Sequence, residues 1–155
     1  MKNKKVKLKK TTINDIDTIY KWINHSSVRK NSFNSEKISK KENEYFWKKN
    51  INSKNYFAYT LFFQNKKDQS CGLFSAKLDK RYFLINYLIA PKFRNLGLSK
   101  PLLRQGIKKL NNYKKKIKIV AKVKKNNILS ILSLHSAGFT MQVEERNFIK
   151  MIFKK

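Results

Sequence analysis

The sequence predicts an α/β protein of the α+β kind, a mixed and mostly antiparallel sheet with flanking helices. Three observations predict it. The middle of the chain holds three aromatic and β-branched runs, Tyr56 to Gln64, Cys71 to Leu78 and Tyr82 to Ile89, separated only by short polar turns, which is the pattern of hairpin-linked strands. Stripes of helical period lie on either side of them. After Pro91, one such stripe leads into a further strand pattern at Ile117 to Val123, and a strand–helix–strand order of that length makes a parallel crossover. With 155 residues, 41% hydrophobic and 13% aromatic, the chain is long and apolar enough to bury a core, and it is read as one domain over residues 1–155.

Each element follows from local pattern. Val6 and Leu8 alternate with lysines in a short strand. Thr12 and Asp15 have the spacing of a capping box, with Asp in place of Glu or Gln, and Ile13, Ile16, Ile19, Tyr20 and Ile23 then recur on one helical face. His25 to Ser39 carries no period and is expected to be irregular, whereas Lys40 to Ile51 reads as a second amphipathic helix bearing Tyr45, Phe46 and Trp47. The three central strands turn at Asn65 to Gln69 and at Asp79 to Arg81. Leu98, Leu102, Leu103, Ile107 and Leu110 form the next helical stripe, and Pro101 is tolerated in its first turn. A helix over Asn127 to Ser136 closes at Gly138, and Thr140 to Glu145 with Asn147 to Phe153 completes a hairpin.

Composition narrows the function. No apolar run reaches the roughly 18 residues of a membrane span, and the basic start of the chain has no apolar segment behind it, so a cytoplasmic protein that leaves membranes alone is expected. A single cysteine, Cys71, and two histidines exclude a disulfide framework and leave too few ligands for a structural zinc, so no metal is expected. The net charge of +28 invites a nucleic-acid reading. However, 32 of the basic residues are Lys and five are Arg, they spread over strands, helices and loops alike, and Lys, Asn and Ile together fill 64 positions, the product of adenine- and thymine-rich codons. A dedicated nucleic-acid face would concentrate its charge. An electrostatic pull on anionic small molecules holds under either reading.

The most informative stretch is Ile89 to Ser99, where a strand passes to a helix through Arg94, Gly97 and Ser99. A helix N-terminus offers unpaired N–H groups and a positive dipole end, so the turn suits a pyrophosphate, although a plain strand-to-helix connection would look the same. The spacing Arg94-x-x-Gly97-x-Ser99 resembles the acetyl-coenzyme A signature Q/R-x-x-G-x-G/A of the GNAT superfamily of N-acetyltransferases. Val123-x-x-x-Asn127-x-x-Ser130 followed by Ala137-Gly138-Phe139 is similar to that superfamily's second coenzyme A segment, and the element order resembles its fold. The resemblance implies acetyl-CoA as acetyl donor. It places Leu88 and Ile89 along the pantetheine, Arg94, Asn95, Leu96, Gly97, Leu98 and Ser99 around the pyrophosphate, and Asn127 and Ser130 on the pantetheine and phosphate sides. As structure alone, Asn127 and Ser130 would simply cap or solvate their helix.

Two departures bear on catalysis. In many GNAT enzymes a Tyr four residues before the Gly of the Gly-Phe pair protonates the departing thiolate, and here Leu134 stands there. His135, Ser133, a Tyr from another element or water is left to replace it. A position that often carries a carboxylate holds Asn86 and Tyr87 instead, so the candidate bases are His25, Glu36 and Glu44, with Glu144 from the late hairpin. The catalytic expectation rests on His135 and Glu44.

The acceptor is read from the first third. Trp22-Ile-Asn24-His-Ser-Ser-Val28-Arg29 resembles the opening of sugar-nucleotide N-acetyltransferases, particularly those acting on UDP-linked 4-amino sugars in pseudaminic-acid pathways. Ile38-Ser-x-x-Glu42-x-x-x-x-Trp47 is similar to a second word of that family, with Glu44 where His is common. The expected acceptor is a small molecule, an anionic nucleotide sugar, met by Asn24, His25, Arg29, Trp47 and Tyr87, with Trp22 or Tyr45 as further stacking surfaces. The alternatives are a protein amino terminus, an aminoglycoside, or a non-catalytic module binding coenzyme A or RNA. Nine acidic residues against +28 suit a cationic aminoglycoside poorly.

Overall fold

The computed structural model describes residues 5–64, 69–114 and 116–154. Strand β1 (Val6–Lys10) leads through a 3-10 turn into α1 (Ile16–Ile23), α2 (Ser26–Asn31) and α3 (Lys40–Asn50). Strands β2 (Tyr56–Phe63), β3 (Ser70–Asp79) and β4 (Tyr82–Ile89) precede α4 (Ser99–Tyr113), β5 (Lys118–Lys124), α5 (Ile128–Ser136), β6 (Phe139–Glu144) and β7 (Phe148–Phe153). The seven strands form one sheet in the order β1-β2-β3-β4-β5-β7-β6, and only β4 and β5 are parallel, as the crossover through α4 demands. Of the expected turn at Asn65 to Gln69, all but Gln69 lies outside the described residues.

Strand alternation divides the side chains between two faces. One face packs Phe74, Phe83, Ile85 and Ile119 against Leu102, Leu103 and Leu110 of α4 and Leu134 of α5, all buried. Gly106 is required there, because a Cβ would lie 2.5 Å from the Phe74 ring. The edge strand β1 is held to α4 by Gln105, whose Nε2 donates to the Val6 carbonyl and whose Oε1 accepts from the Leu8 N–H, both at 3.0 Å. The opposite face carries Ala58 and Leu73 under Ile16, Ile19 and Trp47 of α1 and α3.

Helix starts are set by side chains. Asp15 accepts from the Thr12 N–H at 2.7 Å, and at α3 Glu42 accepts from the Ser39 N–H at 2.7 Å while Ser39 Oγ accepts from the Glu42 N–H at 3.2 Å, a reciprocal capping box. The segment expected to be irregular contains α2. Six residues show too little period to be read as helix, and non-local hydrogen bonds stabilise them instead. Arg29 donates to the carbonyls of Ile23 (2.6 Å), Asn34 (3.3 Å) and Glu36 (3.2 Å) and to Ser32 Oγ (2.9 Å), while Asn24 pairs with both the N–H and the carbonyl of Ile38.

Candidate active site

The parallel pairing of β4 with β5 runs from Tyr82↔Lys118 to Ile85↔Ala121 and stops. Asn86 to Ile89 continue along β3 alone, while Lys122 to Lys124 continue along β7 alone. The strands part, and backbone groups of β4 on that side lose their ladder partners. Beyond Ile89 the chain turns through Asn95 (φ 60°) and Gly97 (φ 70°) into the first residue of α4, Ser99. Nothing lies within 4 Å of the place where a Gly97 Cβ would project. Left-handed backbone at two positions, open space in front of it and the free amides of a helix start make a turn that could hold an oxyanion group such as a diphosphate. Arg94 Nη1 donates to Ser27 Oγ at 2.7 Å, which ties the turn to α2.

A cleft of about 1050 Å³ runs from this turn between the parted strands to α1, α2 and α3. Its floor is apolar where Leu73 and Leu88 meet. Just where the strands part it becomes polar: Ser75 of β3 lies opposite Asn86 of β4, and Tyr56 shares a hydrogen bond with Ser75. Burial raises the Tyr56 phenol above its ordinary pKa. Tyr87 points to the other face, where its hydroxyl donates to the Ser130 carbonyl at 3.3 Å, and burial also holds its phenol high. Among the lining residues the cations are Arg29, Arg94, Lys100, Lys122 and Lys124, and the one acid is Glu42, whose carboxyl is held below its ordinary value by the Ser39 cap.

The structure gathers most of the residues expected from sequence. Leu88, Ile89, Arg94, Asn95, Gly97, Leu98, Ser99, Asn127 and Ser130 line the cleft, whereas Leu96 packs against the core. Asn127 accepts from the Ser130 N–H at 3.3 Å and so caps α5. Arg29, Trp47 and Tyr87 also line it, but Arg29 has already committed four hydrogen bonds to its own segment, and Trp47, 3% exposed, packs with Phe46 and Tyr56. Asn24 is engaged with Ile38, and His25 caps α2 by accepting from the Ser27 N–H. His135 and Glu44 are exposed and do not line the cleft; nor do Glu36 and Glu144, the latter paired with Lys125 at 2.7 Å. Leu134 is fully buried. Cys71 is sealed under the sheet with its thiol pushed up to about 11.

Several lining residues carry no signal in the sequence. Asn43 sits within a polar helix, Ser75 and Tyr56 on β-strands, and Phe33, exposed and edge-on to Phe148 at 5.9 Å, follows α2. Only the alternation that brings Ser75 and Asn86 to one face would have grouped any of them.

The sequence profile of the acetyltransferase (GNAT) domain family matches residues 5–140. No curated protein sequence matches. Among solved structures, a spermidine N-acetyltransferase from Vibrio cholerae in complex with CoA and spermine superposes with a TM-score of 0.86 at 18% identity, covering 97% of this chain and 96% of that one. A domain from Methanocaldococcus jannaschii gives 0.83 at 21% identity, covering 97% and 98%. The aminoglycoside acetyltransferase AAC(6')-Ib in complex with coenzyme A gives 0.76 at 18%, covering 96% and 94%. At such identities these neighbours share the fold. With the family profile spanning most of the sequence and the phosphate cradle standing where the strands part, the chain belongs to the GNAT acetyltransferases, N-acetyltransferases that draw their acetyl group from acetyl-CoA.

Proposed function

We propose that this enzyme acetylates the primary amine of an anionic, nucleotide-linked amino sugar. The observation that carries this reading is the charge of the acceptor half of the cleft. Lys122 and Lys124 project from β5 on the same face as Asn86 and beside Phe33 and Phe148, with Lys122 Nζ 5.3 Å from the Phe148 ring centroid. Lysines beside an exposed aromatic suit a diphosphate joined to a base. Spermine and aminoglycosides, the kinds of acceptor that structural neighbours bind or act on, are polycations, and Glu42 alone among the lining residues would meet them. The expected cytoplasmic setting supplies the donor to such an enzyme.

Acetyl-CoA, when bound, supplies the activated acetyl thioester. The chain's residues bind and orient it: the amides from Asn95 to Ser99 take the diphosphate, while the Arg94 amide donates to the Pro91 carbonyl, and the unpaired edge at Leu88 and Ile89 takes the pantetheine amides. The acceptor must arrive as a neutral amine. Among the described residues no histidine, and no carboxylate with a raised pKa, lines the cleft, and the cations around it favour loss of a proton from a bound ammonium, which lowers the demand for a strong base. Asn86 and Ser75 leave hydrogen-bonding groups at the point of parting for the amine or an ordered water. Transfer is direct, because the Cys71 thiol is buried and held protonated.

The test is thiol release from acetyl-CoA with UDP-linked 4-amino sugars, spermidine, kanamycin and short amino-terminal peptides. Turnover with the nucleotide-linked sugars at a KM at least tenfold below the others is expected. Preference for spermidine or kanamycin would overturn the reading.

A further inference from the structure

Asn43 lines the cleft from α3. It occupies the inward stripe of α3, one turn before Trp47, and it is 4% exposed. An apolar side chain would be ordinary there. Instead the position carries a carboxamide that lines the cleft and has no hydrogen-bond partner among the described residues. Its amide is open to the cleft and is not among the sealed, unpartnered polar atoms of the core, so a ligand in the cleft can reach it. Its neighbour on the helix, Glu42, does not satisfy it, because that carboxylate is turned back to the Ser39 cap. The fixed capping box also sets the helix register, so Asn43 is buried while Glu42 and Glu44 are exposed.

A carboxamide presents an N–H donor and a carbonyl acceptor side by side. An ammonium or a protonated polyamine only donates, so it would pair with the carbonyl and leave the N–H groups unmet. A hydroxyl both donates and accepts and satisfies the two at once. We infer that Asn43 recognises a hydroxyl adjacent to the acceptor amine, making it the residue that selects hydroxylated amines over plain ones. This rests on the chain acting as an acetyltransferase and refines the sugar reading above without requiring the nucleotide.

The experiment crosses the residue with the ligand hydroxyl. Wild type and Asn43→Leu are assayed with a UDP-linked 4-amino sugar and its analogue lacking the neighbouring 3-hydroxyl, and separately with trans-2-aminocyclohexanol and cyclohexylamine at equal free-amine concentration. In wild type the hydroxylated member of each pair is expected to have kcat/KM at least tenfold higher, and in Asn43→Leu the pair should become equal, with KM for acetyl-CoA unchanged. Asn43→Asp, which keeps the shape and loses the donor, provides a second variant, and it should lose the discrimination as well. If the discrimination appears only with the cyclohexyl pair, the nucleotide reading fails and the role of Asn43 stands. If the wild type shows no preference within either pair, or if the variants keep it while melting at a lower temperature, Asn43 is a packing residue and the inference is overturned.

Discussion

Gly97 has φ 70° and open space where a Cβ would project, so its two properties separate experimentally. Gly97→Trp is expected to abolish acetyl-CoA binding in calorimetry by filling the cradle. The fold should survive it, because the only intrinsic cost is left-handed backbone, about 1–2 kcal/mol. Cys71 gives a pH prediction. Its thiol is held up to about 11 from an ordinary 9.0, so the folded state keeps a proton that the unfolded chain releases from about pH 9. Stability is therefore full below pH 9 and falls as pH rises toward 11, and Cys71→Ala should flatten that alkaline decline in urea titrations. At this scale the sequence was uneven in what it disclosed. Arg94 and Gly97 were legible because a phosphate turn has fixed spacing and needs backbone that glycine adopts freely. Asn43 was illegible, because one amide among the charged residues of α3 looks like any other until its burial is known. His135 and Glu44 have acid–base chemistry, and chemistry alone does not say which way a helix turns a side chain; both face solvent.

The elements differ in what defines them. The strands from Tyr56 to Ile89 and the helix from Ser99 were readable from period alone, with boundaries shifted by a residue or two, because each buries a continuous stripe. α2 was not, because its stability comes from Arg29 and Asn24 bonding to the backbone that flanks it and not from its own pattern. Arg29→Ala is accordingly expected to destabilise the protein by about 2 kcal/mol, the scale of charge-assisted hydrogen bonds in a partly exposed setting. It should also open the segment from His25 to Ile38 to limited proteolysis. Because Ser27 holds Arg94, the same variant should weaken acetyl-CoA binding as well as the acceptor side. Gly106→Ala tests the contact of α4 with β3: a methyl 2.5 Å from the Phe74 ring must displace it, at a cost of about 1–3 kcal/mol in thermal or denaturant unfolding.

Over the whole molecule, lysine is in surplus on every kind of element, and five cations against one acid line the cleft. If Lys122 and Lys124 draw an anionic acceptor, raising sodium chloride from about 50 to 500 mM, which contracts the screening length from roughly 14 to 4 Å, should raise its KM several-fold. A neutral amine should be indifferent to the same change. The order of the sheet and its crossover were legible in sequence because they follow from period and connection length. The end of the cleft away from the turn was not, because it is assembled from α2, α3, β5 and β7, which lie far apart along the chain.

The parting of β4 from β5 also has a mechanical meaning. It divides the sheet into two flaps, β1 to β4 and β5 with β7 and β6, sewn together by only four residue pairs from Tyr82 to Ile85 and by the helices behind them. A donor lying in the gap would act as a removable stitch, completing the ladder from both sides. Amide hydrogen exchange should then report occupancy directly. Protection is expected to rise at Asn86 to Ile89 when acetyl-CoA is added and to stay constant along Tyr82 to Ile85, where the seam is already closed.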